Sequence, residues 1–260
     1  MGFLDRFCRR APLLHVAGDE GTGPVVILIH GIASSSVTFE KLVPMLIDHH
    51  RVISIDLLGF GESPSPAGAG YTIEEHVAAF ARTVASLKLR EQFVLVGHSM
   101  GSLIASRYAA TRRRRVKKLV LVSPPVYVSP SAIGDPRERA TMGLYLKAYE
   151  FLRNNKAFTI RNAAVLAKLL PIKNVLEVTE RNWDAFVLSL QNLVESQTTI
   201  SDLAAVRVPI EIVYGALDQF LTMAGLRIVE QMRGVTVHKV EASDHVIRKR
   251  LARVVAKAIG

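Results

Sequence analysis

The sequence predicts an α/β fold: a mostly parallel central sheet with helices on both faces, interrupted once by an all-helical insert. Three observations carry this. Short, β-branched apolar runs alternate with longer helical stretches through the first half of the chain. Those runs are apolar at successive positions, the pattern of a strand buried on both faces. The alternation stops after Ser123 and resumes at Ile210.

Taken in order, Val25 to Ile29 reads as a strand, Phe39 to Asp48 as a helix and Arg51 to Asp56 as a strand. A Gly-, Pro- and Ser-rich loop runs from Gly59 to Gly70. Thr72 to Leu89 is helical, with Thr72 and Glu75 at capping-box spacing. Gln92 to Gly97 is a strand, Met100 to Thr111 a helix and Lys118 to Val122 a strand. Pro124, Pro125 and Pro130 then punctuate a loop. From Ala132 to Ala205 every periodic segment is helical, with apolar residues three to four apart in Glu138 to Asn154, Phe158 to Leu169 and Asn182 to Leu193. Ile210 to Tyr214 is a strand, Leu221 to Met232 a helix, Thr236 to Val240 a strand and Val246 to Ile259 a helix. The expected organisation is a core at 1–125 and 205–260 around an insert at 126–204.

The 260 residues are 49% hydrophobic and 22% charged. That excludes a disordered, collagen-like or coiled-coil chain and suits one domain with an insertion. The longest apolar strings are strand-sized, so no transmembrane helix is expected. Cys8 is the single cysteine, which excludes an intramolecular disulfide and a Cys-based zinc site and fits a reducing, cytoplasmic setting. The first ten residues lack the apolar stretch of a signal peptide. Phe3 to Leu14 is basic and mildly amphipathic; it reads as a loose terminal arm, with weak membrane-surface association as the alternative.

The net charge of +10 is concentrated. Arg107 to Lys118 holds seven basic residues and His245 to Gly260 holds five, with no acidic residue in either. No aromatics interleave the run Arg112 to Arg115, so a solvated basic surface is expected and no nucleic-acid partner.

Chemistry concentrates at Gly97-His98-Ser99-Met100-Gly101, where an apolar strand meets a helix. That is the setting of a nucleophile elbow: the glycines allow close packing around a sharp turn that thrusts the serine hydroxyl outward. A serine hydroxyl needs a base to take its proton, and the base needs a carboxylate to orient it. Only His238 and His245 follow the serine. His238 lies within a strand; His245 follows one, in Glu241-Ala242-Ser243-Asp244-His245, and is the expected base. Asp218, just past the preceding strand in Tyr214-Gly215-Ala216-Leu217-Asp218, is the expected acid. Asp135 is the runner-up, and Asp244 adjoins His245 too closely to reach its ring. The backbone N–H groups of Ile32, after His30-Gly31, and of Met100 are the expected oxyanion donors. The His30 side chain and the stretch Asp56 to Ser63 read as structural.

These motifs resemble the α/β-hydrolase superfamily. The matches are His30-Gly31, Asp56 with Gly59, Gly61 and Ser63, Gly97 with Ser99 and Gly101, Tyr214-Gly215 with Asp218, and Asp244-His245. The resemblance implies the α/β-hydrolase fold, with the insert placed after the sixth strand as a cap over the site. It implies a Ser99, His245, Asp218 triad needing no metal or organic cofactor, and a small-molecule substrate. Val-Ile-Arg-Lys-Arg follows His245 where many members carry Glu and Pro.

A serine at position 99 suits acyl transfer, whereas the epoxide hydrolases and haloalkane dehalogenases of the family use aspartate there. The expected function is hydrolysis of a small to medium carboxylic ester through an acyl-enzyme, with His245 as general base. The alternatives are carbon–carbon hydrolysis of a vinylogous diketone and non-catalytic binding of a small ligand. Perhydrolysis and amide hydrolysis share the same triad. Relatives that hydrolyse diketones carry a Gly- and Pro-rich oxyanion loop, an Asn before the serine and a Trp beside the histidine; here these places read Ile32 to Ser35, His98 and Val246-Ile247. Binding relatives usually lose a triad member. Tyr145, Tyr149, Phe151, Phe158, Trp183 and Phe186 are the aromatics available to pack the cap or line a pocket.

Overall fold

The computed structural model describes residues 11–169 and 176–260. Cys8 and most of the arm from Phe3 to Leu14 lie outside the described residues.

Seven strands form one sheet in the order β1-β3-β2-β4-β5-β6-β7. They are β1 Val16–Glu20, β2 Val25–Ile29, β3 Arg51–Ile55, β4 Phe93–His98, β5 Val116–Val122, β6 Ile210–Gly215 and β7 Val235–Val240. Every pairing is parallel except β1 with β3. Among the described residues five strands, not six, precede the insert, a single antiparallel edge strand leading into the parallel series. β1 escapes detection in the sequence: Val-Ala-Gly-Asp-Glu offers one branched apolar residue, as an edge strand facing water can.

The central strands are apolar at every position because both of their faces are covered. Ile27, Ile29, Phe93, Leu95, Leu119 and Leu121 join a core with helices α1 (Ile73–Ser86) and α2 (Met100–Thr111). Val26, Leu28, Val94, Val96, Val120 and Val122 face the other way, onto Phe39, Leu42 and the final helix, Lys249–Ile259. Of the first basic stretch only Arg107 lies on α2; Arg112 to Arg115 fall in the turn after it and Lys117 and Lys118 on β5, whereas the second stretch lies on and just before the final helix. Several of their cations are engaged. Arg107 bonds Glu74, Asp202 and Thr198, and Lys118 Nζ donates to the carbonyls of Ala258 and Ile259.

α1 begins as its capping box predicts. The Glu75 N–H donates to Thr72 Oγ1 at 3.3 Å, and the Thr72 N–H donates to the Glu75 carboxylate at 3.1 Å. The expected helix at Phe39 to Asp48 is instead a pair of 3₁₀ turns, Ser36–Phe39 and Val43–Met45. Pro44 withholds an amide that a continuous helix would need.

Between β5 and β6, in order, come α3 (Pro136–Asn154), α4 (Lys156–Leu169), α5 (Trp183–Ser189) and α6 (Thr199–Ala205). α5 runs on through a wide π-type turn at Leu190–Glu195. No strand is present among the described residues of this segment. It is tied to the sheet domain by polar contacts: Asn192 Nδ2 donates to the Gly70 carbonyl at 2.7 Å, Gln197 Nε2 to the Pro125 carbonyl at 2.8 Å, and the His76 ring bonds the Ser189 hydroxyl at 3.1 Å. α7 (Met223–Glu230) and α8 (Lys249–Ile259) complete the chain.

Candidate active site

Ser99 stands at the carboxyl end of β4, the strand nearest the middle of the sheet, in a left-handed backbone conformation (φ 52°, ψ −125°). A side chain held there is strained, and surrounding contacts must hold it. The Ser99 N–H donates to the Val122 carbonyl at 2.9 Å, and its own carbonyl accepts the Ser102 N–H at 2.8 Å. The flanking glycines have steric reasons. A Cβ on Gly97 would lie 2.5 Å from the Gly101 carbonyl oxygen, and one on Gly101 would lie 2.3 Å from that of His30. Strand β4, helix α2 and the His30 loop meet here with no room for a methyl group. Met100 is the first residue of α2, so its N–H is among the amides with no acceptor within the helix.

Asp218 and His245 come together from the ends of β6 and β7. The His245 Nδ1–H donates to both carboxylate oxygens, at 3.0 and 2.9 Å. Burial alone would raise the Asp218 carboxyl, but the hydrogen bond and charge of His245, with the Phe220 N–H, hold it below its ordinary value. The His245 ring meets Phe220 edge-on at 4.8 Å and tilts against His98 at 4.9 Å.

The other candidates are engaged elsewhere. Asp135 caps α3, accepting the N–H groups of Arg137 and Glu138. Asp244 is salt-bridged to Arg248 at 2.6 Å. His238 pairs with Glu211 at 2.7 Å across β6 and β7. His30 is buried with both ring nitrogens used: Nδ1–H donates to the Gly31 carbonyl at 2.7 Å, and Nε2 accepts the Leu57 N–H at 2.9 Å. Its side chain orders the loop, as the sequence suggests. Asp56 does the same from below, accepting the N–H groups of Ser36 and Glu62 and bonding the His15 ring.

Ser99, His245, Ile32 and Met100 all line one cavity of about 530 Å³. That volume suits a small organic ligand. Phe186, Leu190, Val194, Leu152 and Val178 give it an apolar wall. Several of its polar side chains already have partners. The Tyr127 and Tyr149 hydroxyls bond at 2.6 Å, Thr159 donates to the Leu152 carbonyl, and Asn162 donates to that of Phe158. Burial pushes the Tyr149 hydroxyl up to about 12, so it stays neutral. No lysine or arginine is among the described residues that line the cavity. No three His, Cys, Asp or Glu side chains among the described residues cluster as metal ligands would.

Of the aromatics expected inside, Tyr149 and Phe186 line the cavity, whereas Phe151 and Phe158 face outward. Periodicity in an isolated helix does not say which of two apolar stripes turns inward. A residue that sequence reasoning passes over is His98. Its Nε2–H donates to the His245 backbone carbonyl at 2.9 Å, and its Nδ1 is buried without a partner. Burial lowers its pKa to about 3.

Comparison with known proteins bears on the fold that carries this geometry. A family model described as alpha/beta hydrolase fold matches residues 24–159, just over half of the chain. The chain is 38% identical over 117 residues to a probable lysophospholipase, BODYGUARD 3, of Arabidopsis thaliana; the match covers 44% of this chain and 24% of that protein. It is 37% identical over 103 residues to haloalkane dehalogenase 2 of Mycobacterium tuberculosis, covering 40% of this chain and 36% of that one. Among solved structures, a thermophilic esterase from Thermogutta terrifontis superposes with a TM-score of 0.73 at 21% identity, over 95% of this chain and 92% of that one.

Proposed function

The chain belongs to the alpha/beta hydrolase family, and from that premise we propose that it is a serine hydrolase cleaving a small to medium carboxylic ester through an acyl-enzyme. The observation that carries this reading is His245, hydrogen-bonded to the buried Asp218, lining the same apolar cavity as the strained Ser99. A serine offers no carboxylate to displace halide from carbon, so dehalogenation is not the chemistry of this site.

In the proposed reaction Ser99 Oγ attacks the acyl carbon while its proton passes to His245 Nε2. The carbonyl oxygen becomes an oxyanion held by the N–H groups of Ile32 and Met100, each worth ~3–4 kcal/mol of barrier. Asp218 keeps the His245 Nδ1–H pointed at itself, leaves Nε2 as the base, and stabilises the imidazolium. The ester C–O bond then breaks, and the leaving alkoxide takes the proton from Nε2. Water, deprotonated by the same nitrogen, attacks the acyl-enzyme and releases the acid and free Ser99.

The residues at 126–204 act as a cap that roofs the pocket over the core at 1–125 and 205–260. An apolar wall without described lysine or arginine favours a neutral aliphatic or aromatic acyl group. A charged headgroup would have to remain outside the pocket. The test is hydrolysis of p-nitrophenyl esters from acetate to laurate by the parent and by Ser99→Ala. Turnover that disappears in the variant, with medium chains preferred, is expected. Folded parent protein that cleaves no ester and takes up no fluorophosphonate probe at Ser99 would sink the reading.

A further inference from the structure

The outer face of the α3–α4 pair carries a feature that the site does not use. Leu144 is 65% exposed, Phe151 49%, Phe158 42% and Val165 53%. The spacing of seven places Leu144 and Phe151 on one side of α3, and Phe158 and Val165 on one side of α4. The Phe151 and Phe158 rings meet edge-on at 5.3 Å and join the two rows into one exposed apolar ridge. Four large exposed apolar side chains, two of them in ring contact, are gathered on one helix pair, and such clustering points to a binding surface.

Charge identifies what would bind. The insert as a whole is nearly balanced, yet α3 and α4 hold seven basic residues (Arg137, Arg139, Lys147, Arg153, Lys156, Arg161, Lys168) against Glu138 and Glu150. The rest of the insert holds two basic residues, Lys173 and Arg181, against six acidic ones. Lys147 lies three residues beyond Leu144 and four before Phe151. Arg161 stands in the same relation to Phe158 and Val165. Each cation therefore flanks the ridge. Lys147 and Arg161 are exposed and have no carboxylate partner among the described residues. An apolar row bordered by unpaired cations is complementary to an anionic bilayer, where aromatics enter the headgroup boundary and long cationic side chains reach phosphates. A second copy of the chain would bring like charges together.

We propose that the outer face of α3 and α4 docks on an anionic lipid surface, so that the enzyme takes its ester from that surface. The same helices wall the cavity on their inner side through Tyr149, Leu152 and Ala163. The exposed Leu217 and Phe220 also line the cavity, and Tyr145 of α3 hydrogen-bonds the Gln219 carbonyl in that loop. The docking face and the substrate space thus share one pair of helices. The part of this inference that concerns substrate rests on the ester-hydrolase reading; the docking surface itself does not.

The test is co-sedimentation of the full chain with extruded vesicles, comparing phosphatidylcholine alone with phosphatidylcholine containing about one part in three phosphatidylglycerol. Two double variants are compared with the parent: Phe151→Ser with Phe158→Ser, and Lys147→Glu with Arg161→Glu. Binding of the parent to the anionic vesicles is expected, with a loss of roughly tenfold or more in each double variant. Hydrolysis of the soluble p-nitrophenyl butyrate stays at the parental rate, because none of these residues touches the cavity. A parent that does not sediment with anionic vesicles, or variants that bind as the parent does, would overturn the proposal. So would a parental dimer by light scattering that the Phe151→Ser, Phe158→Ser variant dissociates, since the ridge would then serve a second copy. Vesicle binding without turnover of any ester would keep the docking surface and overturn the hydrolase reading alone.

Discussion

His98 holds the backbone carbonyl of His245 at 2.9 Å, so the residue immediately before the serine anchors the loop that carries the expected base. One hydrogen bond joins the ends of β4 and β7, strands that are not neighbours in the sheet. His98 is a positioning residue on this geometry. His98→Phe keeps a ring of similar size and removes the donor. Its kcat should fall about threefold to tenfold, the worth of one buried hydrogen bond, with KM nearly unchanged. His98→Asn, which retains a donor, should recover part of the loss. A fall confined to KM would refute the positioning role.

Asp218 is distinguished from its neighbours by what each carboxylate already does. Asp218→Asn leaves the shape of the site but favours the wrong tautomer of His245, and should lower kcat by about 10⁴. Asp244→Asn should leave turnover nearly intact, because its partner is Arg248. Asp135→Ala should cost about 1 kcal/mol of stability through the lost cap of α3, with kcat preserved. Urea unfolding and ester kinetics on the three variants measure this directly.

The strain at Ser99 has a thermodynamic signature. Ser99→Gly and Ser99→Ala should both be inactive, but only glycine accepts φ 52° without penalty. Ser99→Gly should exceed Ser99→Ala in unfolding free energy by about 1 kcal/mol. Glycine normally destabilises relative to alanine, so a reversed order would show that the backbone here is not under strain.

Acid should destabilise the protein in two stages. Burial lowers His76 and His98 to about 3 and lowers His30 as well, so all three fold in the neutral form. Below the ordinary histidine value of ~6.5 the unfolded chain binds protons that the folded chain refuses. Stability is full above that value and falls as pH drops toward 3, by up to about 1.4 kcal/mol per pH unit for each histidine. Asp56 and Asp218 are held below the ordinary carboxylate value, Asp56 because hydrogen bonds from Glu62, His15 and Ser36 outweigh its burial. Their contribution is present above the unfolded carboxylate value and is lost as pH falls through the folded one, at the acid end. Urea midpoints across this range should show a slope that His76→Gln reduces by about one third. A flat profile between neutrality and pH ~5 would contradict the buried neutral histidines.

Much of this was legible in the residues, and the gaps have physical causes. α1 announces itself through Thr72 and Glu75, and the elbow through its glycines. Asp218 and His245 follow from chain order and from their positions after strands. β1 is hidden because an edge strand needs little apolar patterning, and the helix expected at Phe39 to Asp48 is interrupted by Pro44. The short α6, Thr199–Ala205, gave no distinct periodic signal. His98 is invisible to local reasoning because its partner lies 147 residues away. The outward turn of Phe151 and Phe158 depends on how two helices pack on a sheet, which periodicity alone does not encode.

The insertion between β5 and β6 also bears on how the chain matures during synthesis. Leu119 and Ile210 are paired neighbours in the sheet, yet the whole helical segment intervenes between them in the chain. Closing so long a loop carries an entropic cost that only the finished pairing offsets. The ribosome therefore completes β1 to β5, with Ser99, well before it makes β6, β7, Asp218 and His245. The half-built sheet exposes the open edge of β5 for all the time the ribosome spends on the insert. Until β6 pairs there, that edge presents the unmatched N–H and C=O groups of an open strand.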